Sequence, residues 1–211
     1  MSAPSDDRPG APSGVPPDPD PRQHLVRTFV EGFARPLRAG LAEALESEPP
    51  PAPLPPPPAA DQTVVLAGHR AAGKSRALPV FETLLGRPGI DLDRWLEAHH
   101  RRSLKGWVRH DPTSFRRAER EAFLAQPRGS LIAVGGGFLS LHADLLEGAW
   151  TVLIPIDFET YAQRLRRDRS RPRLRPELSL TQELREVYEA REAAHARVPT
   201  HPLWAALRIL R

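Results

Sequence analysis

The feature that most limits the fold of this chain is a glycine-rich segment, GHRAAGKS, at residues 68–75. It fits the pattern G-x-x-x-x-G-K-[ST], in which backbone N–H groups hold phosphate oxygens at the start of a helix. The apolar, β-branched run at 63–67 predicts a buried strand before it, and a helix is predicted from Gly73 to about Leu85. Strand, loop and helix in this order predict a nucleoside-triphosphate site.

Two side chains of this loop carry its chemistry, those of Lys74 and Ser75. A lysine at this place reaches the β- and γ-phosphates, and the hydroxyl after it ligates magnesium. Only two of the 30 basic residues are lysines, so a lysine inside the motif is a stronger indication than any cluster of arginines. The residues expected to bind ATP are Gly68, Ala71, Ala72, Gly73, Lys74, Ser75 and Arg76.

Short apolar strands alternate with helical segments along the rest of the chain. Further strands are predicted at 89–92, 131–134 and 151–156, and helices at 92–101, 114–125, 141–146, 159–167 and 180–195. This alternation predicts an α/β fold of the P-loop kind, a three-layer α/β/α arrangement with a parallel sheet. A last strand at 197–199 would be poor, because proline cannot donate to a sheet.

The first 60 residues differ in composition and predict an extension to a folded domain at 61–211. They hold 16 of the 25 prolines, which favours polyproline II or disorder over a packed core. Apolar residues at helical spacing predict one helix over 22–47, weakened by Pro36 and Gly40. That helix either docks on the folded part or acts as a linker, with a partner-binding helix as the alternative.

Charge and composition exclude several classes of protein. The chain has no cysteine, which excludes disulfides, thiolate metal sites and cysteine nucleophiles. It has neither a membrane-length apolar run nor a secretory leader at its start, so a cytoplasmic location is expected.

The basic stretch at 164–175 lacks stacking aromatic pairs and indicates a mobile lid rather than a nucleic-acid surface. The eight histidines are not expected to form a metal site, and His69 is expected to face solvent.

Two further segments come where predicted strands end. Asp91-Leu92-Asp93 offers two carboxylates at the carboxyl edge of the sheet, one suited to magnesium and one to substrate hydroxyls, with a helix N-cap as the alternative. The glycines at 135–137 let the backbone approach a ligand closely, or make a tight turn. No Walker-B carboxylate or guanine-reading N-K-x-D is evident, which argues against motor ATPases and GTPases.

From Thr63 onward the chain resembles the shikimate kinases, small P-loop kinases. The resemblance is carried by an ordered set of motifs over about 150 residues: the P-loop at 68–75, I-D-L-D at 90–93, F-R-x-x-E at 115–119, the glycines at 135–137, R-P-x-L at 171–174 and the late helical Arg191. Each motif is modest by itself, whereas the ordered set is specific.

The resemblance implies phosphorylation of shikimate to shikimate 3-phosphate with ATP and Mg²⁺, by a monomer. From composition and motifs, neither a nucleic acid nor a membrane is expected as a partner. It implies catalytic roles for Lys74, Asp91 and Arg171, with Arg171 also at the ATP phosphates. Ser75 and Asp91 would ligate the metal. The implied substrate-binding residues are Asp93, Arg116, Gly136 and Arg191, and Glu119 would orient Arg116.

The chain departs from the family pattern in and around the expected pocket. The departures are Ala71 in place of a P-loop glycine, Arg76 in place of a small hydroxyl residue, Trp107-Val108 in place of Ile-Phe, Asp111-Pro112 in place of Gly-Glu, and His195 in place of tyrosine. Two alternatives therefore stay open: a related kinase for another small polyhydroxy acid, and a metabolite-sensing module without turnover.

Overall fold

The computed structural model describes residues 20–47, 54–168 and 173–211. Their strands form one five-stranded sheet in the order β2-β3-β1-β4-β5, and every neighbouring pair is parallel. The strands are β1 (Val64–Ala67), β2 (Gly89–Asp91), β3 (Leu131–Ala133), β4 (Trp150–Leu153) and β5 (His201–Pro202). The predicted parallel sheet is confirmed.

Helices cover both faces of this sheet. They are α1 (Pro21–Glu31), α2 (Arg35–Glu46), α3 (Lys74–Leu85), α4 (Leu92–His100), α5 (Leu104–His110), α6 (Pro112–Leu124), α7 (Phe138–Leu141), α8 (Phe158–Arg167), α9 (Leu180–His195) and α10 (Leu203–Leu210). Val64 and Leu66 pack with α1, α2, α3, α8 and α10, whereas Val65 and Ala67 pack with α4 to α7. The predicted three-layer arrangement is thus confirmed, with alternate residues of β1 in the two cores.

The strand order decides where functional loops meet. β3 lies between β1 and β2, and Ala133 is in register with both Leu66 and Asp91. Because the strands are parallel, the loops after β1, β2 and β3 leave from the same edge. The P-loop, Asp91 and the glycines at 135–137 are therefore neighbours in space.

The N-terminal helical region consists of two helices, α1 and α2, where the sequence predicts one helix over 22–47. The break falls at Gly32, and Pro36 lies in the first turn of α2, where the missing N–H costs nothing. Both helices bury apolar side chains in the core shared with α3 and α10, namely Val26, Phe29, Val30, Leu41 and Leu45. Disorder or polyproline II is predicted for the proline-rich parts of residues 1–60, of which 1–19 and 48–53 lie outside the described residues.

Four other elements differ from the sequence-based expectation. α5 and α10 were not expected, and the helix predicted at 141–146 is α7 followed by a 3-10 turn at Ala143–Leu146. The last strand lies at His201–Pro202 rather than at 197–199; β5 is an edge strand, where proline is tolerated. No helix in the described ranges has both the length and the apolarity to cross a membrane.

Candidate active site

The P-loop connects β1 to α3 through two glycines with left-handed backbone, Gly68 (φ 133°) and Gly73 (φ 102°). A Cβ on Gly68 would lie 2.6 Å from the Ile154 carbonyl oxygen, so only glycine fits. Lys74 Nζ donates to the carbonyl oxygens of Gly68 (2.9 Å) and His69 (2.7 Å). These contacts hold the ammonium group across the loop, where a bound phosphate would meet it.

Ala71 has a left-handed backbone conformation, which glycine adopts more readily. Its φ is 62°, a left-handed conformation that costs a residue with a Cβ roughly 1–2 kcal/mol. Its carbonyl oxygen accepts a hydrogen bond from Arg164 Nη1 of α8 at 2.7 Å. The departure from the family pattern therefore places a residue with a Cβ in a strained backbone conformation.

Asp91 caps α4 and also contacts the P-loop. Its Oδ1 accepts from the Arg94 backbone N–H at 3.2 Å and caps α4, while its Oδ2 accepts from Ser75 Oγ at 2.6 Å. The two side chains thus bring hard oxygen donors together beside the P-loop, which is the donor chemistry that Mg²⁺ prefers. The cleft around them is lined by Arg70, Ala71, Gly73, Lys74, Ser75, Asp91, Asp93, Ala133, Val134, Gly136 and Asp168.

A second pocket adjoins this phosphate cleft and shares Arg70, Asp93 and Gly136 with it. Its remaining lining is Leu104, Lys105, Val108, Phe115, Arg116, Glu119, Gly135, Gly137, Leu174 and Arg191. Two arginines from different helices converge there: a Cβ built on Gly137 would lie 3.5 Å from Arg191 Nη2 and 3.6 Å from Arg116 Nη2. Two guanidinium groups around one point form a site for an anion.

A buried carboxylate fixes one of these arginines. Glu119 is 1% exposed, and its Oε2 accepts from Arg116 Nη1 at 2.7 Å, three residues earlier in α6. His142 Nε2 lies 3.2 Å from the same oxygen. Glu119 therefore holds the Arg116 guanidinium at the pocket, as the resemblance implies.

The positive charge and one hydrogen-bond donor of the other arginine, Arg191, are poorly compensated by neighbouring groups. Burial lowers its pKa, and the neighbouring guanidinium groups of Arg70 and Arg116 lower it further. Among the described residues, its Nη1 is buried and has no hydrogen-bond partner. A buried donor without an acceptor costs free energy, so an anionic ligand here would relieve both deficits.

The glycines after β3 bring the two pockets together. A Cβ on Gly136 would lie 2.6 Å from the Arg70 backbone nitrogen, so this loop touches the P-loop. A Cβ on Gly135 would lie 2.8 Å from Glu119 Oε1 and 3.0 Å from Asp93 Oδ1. Gly136 therefore leaves no room for a side chain, whereas at Gly135 a Cβ would displace the two carboxylates.

Arg76, which the sequence predicts at the ATP site, has its side chain directed away from the cleft. The Arg76 guanidinium turns to the end of α1, where it donates to the carbonyl oxygens of Phe29 (2.6 Å) and Gly32 (2.7 Å). Arg171 lies outside the described residues. The Arg76 side chain therefore contacts the N-terminal helices.

The remaining departures have local explanations. Val108 lines the second pocket, whereas Trp107 is buried and packs edge-on against Phe115, with Nε1 3.3 Å from Ser114 Oγ. Asp111 caps α6 by accepting from the Ser114 N–H at 3.0 Å. The pair Asp111-Pro112 thus starts a helix.

The solvent-facing position expected for His69 is wrong. This side chain is 2% exposed and stacks on Tyr188 with ring centroids 4.3 Å apart. Burial, together with Arg191 and Lys74, lowers its pKa to about 3. His195 is 4% exposed, and burial followed by the neighbouring His69 lowers its pKa to about 4. The expectation fails because α9 covers this side of the P-loop.

Sequence reasoning missed several lining residues. Arg70 lines both pockets from a variable position of the P-loop, and Lys105 lines the second pocket from the unexpected helix α5. The scarcity of lysine was a usable signal for Lys105. Leu174 belongs to the R-P-x-L motif, but its place in the pocket lining was not predicted. The contact of His142 with Glu119 had no sequence signal, because it joins segments distant in the chain.

Sequence comparison identifies relatives of known family. A shikimate kinase from Desulforudis audaxviator is 31% identical over 140 residues, which cover 64% of this chain and 73% of that protein. A shikimate kinase from Caulobacter vibrioides is 32% identical over 146 residues, which cover 66% of this chain and 72% of that protein.

Solved structures agree on the fold. Shikimate kinase from Acinetobacter baumannii in complex with shikimate superposes with a TM-score of 0.59 at 24% identity, covering 70% of this chain and 87% of that chain. The Aquifex aeolicus shikimate kinase gives a TM-score of 0.56 at 22% identity, and the match covers 68% of this chain and 87% of that chain. The shikimate kinase family profile matches residues 70–205, which is more than half of the protein. The chain therefore belongs to the shikimate kinase family.

Proposed function

We propose that this protein transfers the γ-phosphoryl group of ATP to a ring hydroxyl of shikimate, giving ADP and shikimate 3-phosphate. The observation that carries the proposal is the pair of adjoining pockets, one built on the P-loop and one on converging arginines, which share Asp93 and Gly136. A relative of the same fold is known in complex with shikimate.

The second pocket suits a small hydroxylated carboxylate. Arg116 and Arg191 would bind the carboxylate, and the buried Arg191 Nη1 supplies a donor that lacks an acceptor in the described chain. Asp93 faces both pockets, so it can accept hydrogen bonds from ring hydroxyls next to the phosphates. The arginines would thus bind the carboxylate while Asp93 would bind hydroxyls beside the phosphate cleft.

The phosphate cleft supplies positioning and charge. The P-loop amides and Lys74 would hold the β- and γ-phosphates, and Ser75 and Asp91 would hold Mg²⁺, which neutralises phosphate charge when bound. Asp91 would also help to place the attacking hydroxyl. A lid role for Arg171 over the phosphates rests on the sequence motif at 171–174. The reaction needs no covalent enzyme intermediate, because alignment and charge neutralisation supply the catalysis.

ADP release from MgATP tests this proposal, measured separately with shikimate, quinate, gluconate and no acceptor. Turnover with shikimate on the order of 1–100 per second, lost in Lys74→Ala, is the expected result. Turnover with quinate or gluconate alone would assign the protein to another polyhydroxy acid. ATP binding without phosphorylation of any acceptor would refute kinase activity and favour the sensing module.

A matched pair of variants tests the acceptor pocket. Arg116→Ala is expected to raise the KM for shikimate by about 10- to 100-fold, since a hydrogen bond to a charged group is worth roughly 1.5–3 kcal/mol. Arg117→Ala removes the neighbouring arginine of α6, whose side chain is 75% exposed, and should leave that KM unchanged. Equal effects of the two substitutions would contradict the assignment of Arg116.

A further inference from the structure

A second cluster of ligating side chains lies behind the P-loop, formed by His69, Glu192 and His195. We propose that these three residues bind a transition-metal ion of the Zn²⁺ class, which joins the P-loop to α9. Mg²⁺ is a poor candidate, because imidazole nitrogen suits Zn²⁺, Cu²⁺ and Ni²⁺ whereas Mg²⁺ prefers oxygen ligands. This site is therefore separate from the one at Ser75 and Asp91.

The geometry brings one ligand atom of each residue within 4.8 Å of the others. Glu192 and His195 are three residues apart on α9, the Glu-x-x-His spacing that places both side chains on one helix face. Glu192 Oε1 lies 2.6 Å from His69 Nε2 and 3.7 Å from His195 Nδ1. Small side-chain rotations would give the distances of about 2.0–2.2 Å at which Zn²⁺ binds nitrogen and oxygen.

A second observation points to a missing ligand. His195 is 4% exposed, and in the described part of the chain its Nδ1 is buried without a hydrogen-bond partner. Such an atom is unfavourable unless something occupies the space beside it. Glu192 has a side chain 52% exposed, so the cluster is open to solvent on that side, and water can complete a four-coordinate site.

The surrounding charges limit the affinity. Glu192 supplies the negative charge of the cluster, while Lys74 and Arg191 lie close enough to act on both histidines. Two nearby cations disfavour a third, so binding should be weaker than at a structural zinc site with thiolate ligands. Reversible binding at the back of the P-loop is the expected behaviour.

Cobalt provides a direct probe of this proposal. Full-length, untagged, chelator-treated protein without nucleotide would be titrated with Co²⁺ and followed by visible absorption, and with Zn²⁺ by calorimetry. One ion per chain is expected, with the absorption of a four-coordinate cobalt site. Absence of saturable binding of either ion would overturn the proposal, and the result is independent of kinase activity.

Variants locate the ion. His195→Ala and Glu192→Gln should each weaken metal binding at least tenfold. The Glu192 side chain is half-exposed, and glutamine keeps an acceptor for His69, so the Glu192→Gln variant should fold. Circular dichroism checks that fold. The control is a double substitution, His99→Ala with His100→Ala, at the exposed histidine pair of α4, and it should bind as the parent does. Binding unaffected by Glu192→Gln, or lost in the double control, would refute the site.

Discussion

Replacing Gly136 by alanine tests how closely the P-loop and the β3 loop must approach. The added Cβ would lie 2.6 Å from the Arg70 backbone nitrogen and 2.9 Å from its Cα, whereas ordinary contact begins near 3.4 Å. Both neighbouring atoms belong to backbone, so a side-chain rotation cannot relieve the overlap. The two loops must separate by about 0.8 Å, the difference between 3.4 and 2.6 Å.

That separation predicts two measurable effects. Overpacking of this kind costs roughly 1–3 kcal/mol, which lowers Tm by about 2–12 °C in a chain of this size. A P-loop amide displaced by 0.8 Å leaves hydrogen-bond distance, and loss of one such bond to phosphate weakens ATP binding by about 10- to 150-fold. Scanning calorimetry and titration calorimetry measure the two effects.

Gly137→Ala is the matched control, because its Cβ would meet its nearest atoms at 3.5–3.7 Å, which is ordinary contact. Its Tm and ATP affinity should stay near those of the parent, although a methyl group beside Arg116 and Arg191 can raise the KM for shikimate. The reasoning is refuted if Gly136→Ala keeps the parental Tm and ATP affinity, or if both variants lose them equally.

Three further predictions concern the P-loop and its supports. Ala71→Gly relieves the left-handed backbone strain but increases the conformational entropy of the unfolded chain. The free energy of unfolding should therefore rise by about 0–1 kcal/mol in urea titrations, and a fall of more than about 1 kcal/mol would contradict the strain at Ala71. Arg76→Ala removes two hydrogen bonds to α1, and hydrogen exchange in residues 21–31 should accelerate while ATP affinity changes little. Unchanged exchange there would contradict the docking role of Arg76. The pKa values of His69 (about 3) and His195 (about 4) lie below the unfolded value of 6.5, so their contribution to stability is present above pH 6.5 and is lost as pH falls toward 4. Each histidine should cost about 2 kcal/mol between pH 7 and pH 5 in metal-free protein. Urea unfolding at the two pH values checks this, His195→Gln should lose about half of the dependence, and an equal pH dependence in parent and variant would contradict it.

Sequence patterns predict the centre of this fold well because they depend on local physics. Local sequence alone predicts three features of this fold. They are the P-loop motif, the β-branched runs of β1, β3 and β4, and the glycines at 135–137. Parallel pairing then places their loops at one edge, so Lys74 and Asp91 could be expected together.

The sequence-based predictions that failed share a different cause: they depend on contacts between segments that are distant in the chain. His69 is buried because α9 covers it, and Arg76 turns outward because the carbonyl groups at the end of α1 accept its hydrogen bonds. The helix α5, which supplies Lys105 to the pocket, is only seven residues long, too short for its periodicity to stand out. No pattern within the P-loop or α9 alone indicates that His69 meets Glu192 and His195.

The most direct test of the proposed function is phosphorus NMR of the products after incubation with MgATP and shikimate. A new phosphomonoester resonance coupled to the shikimate ring, equal in amount to the ADP formed and absent with Lys74→Ala, is the predicted result. Folded protein that binds ATP and shikimate but yields no phosphorylated shikimate would contradict it.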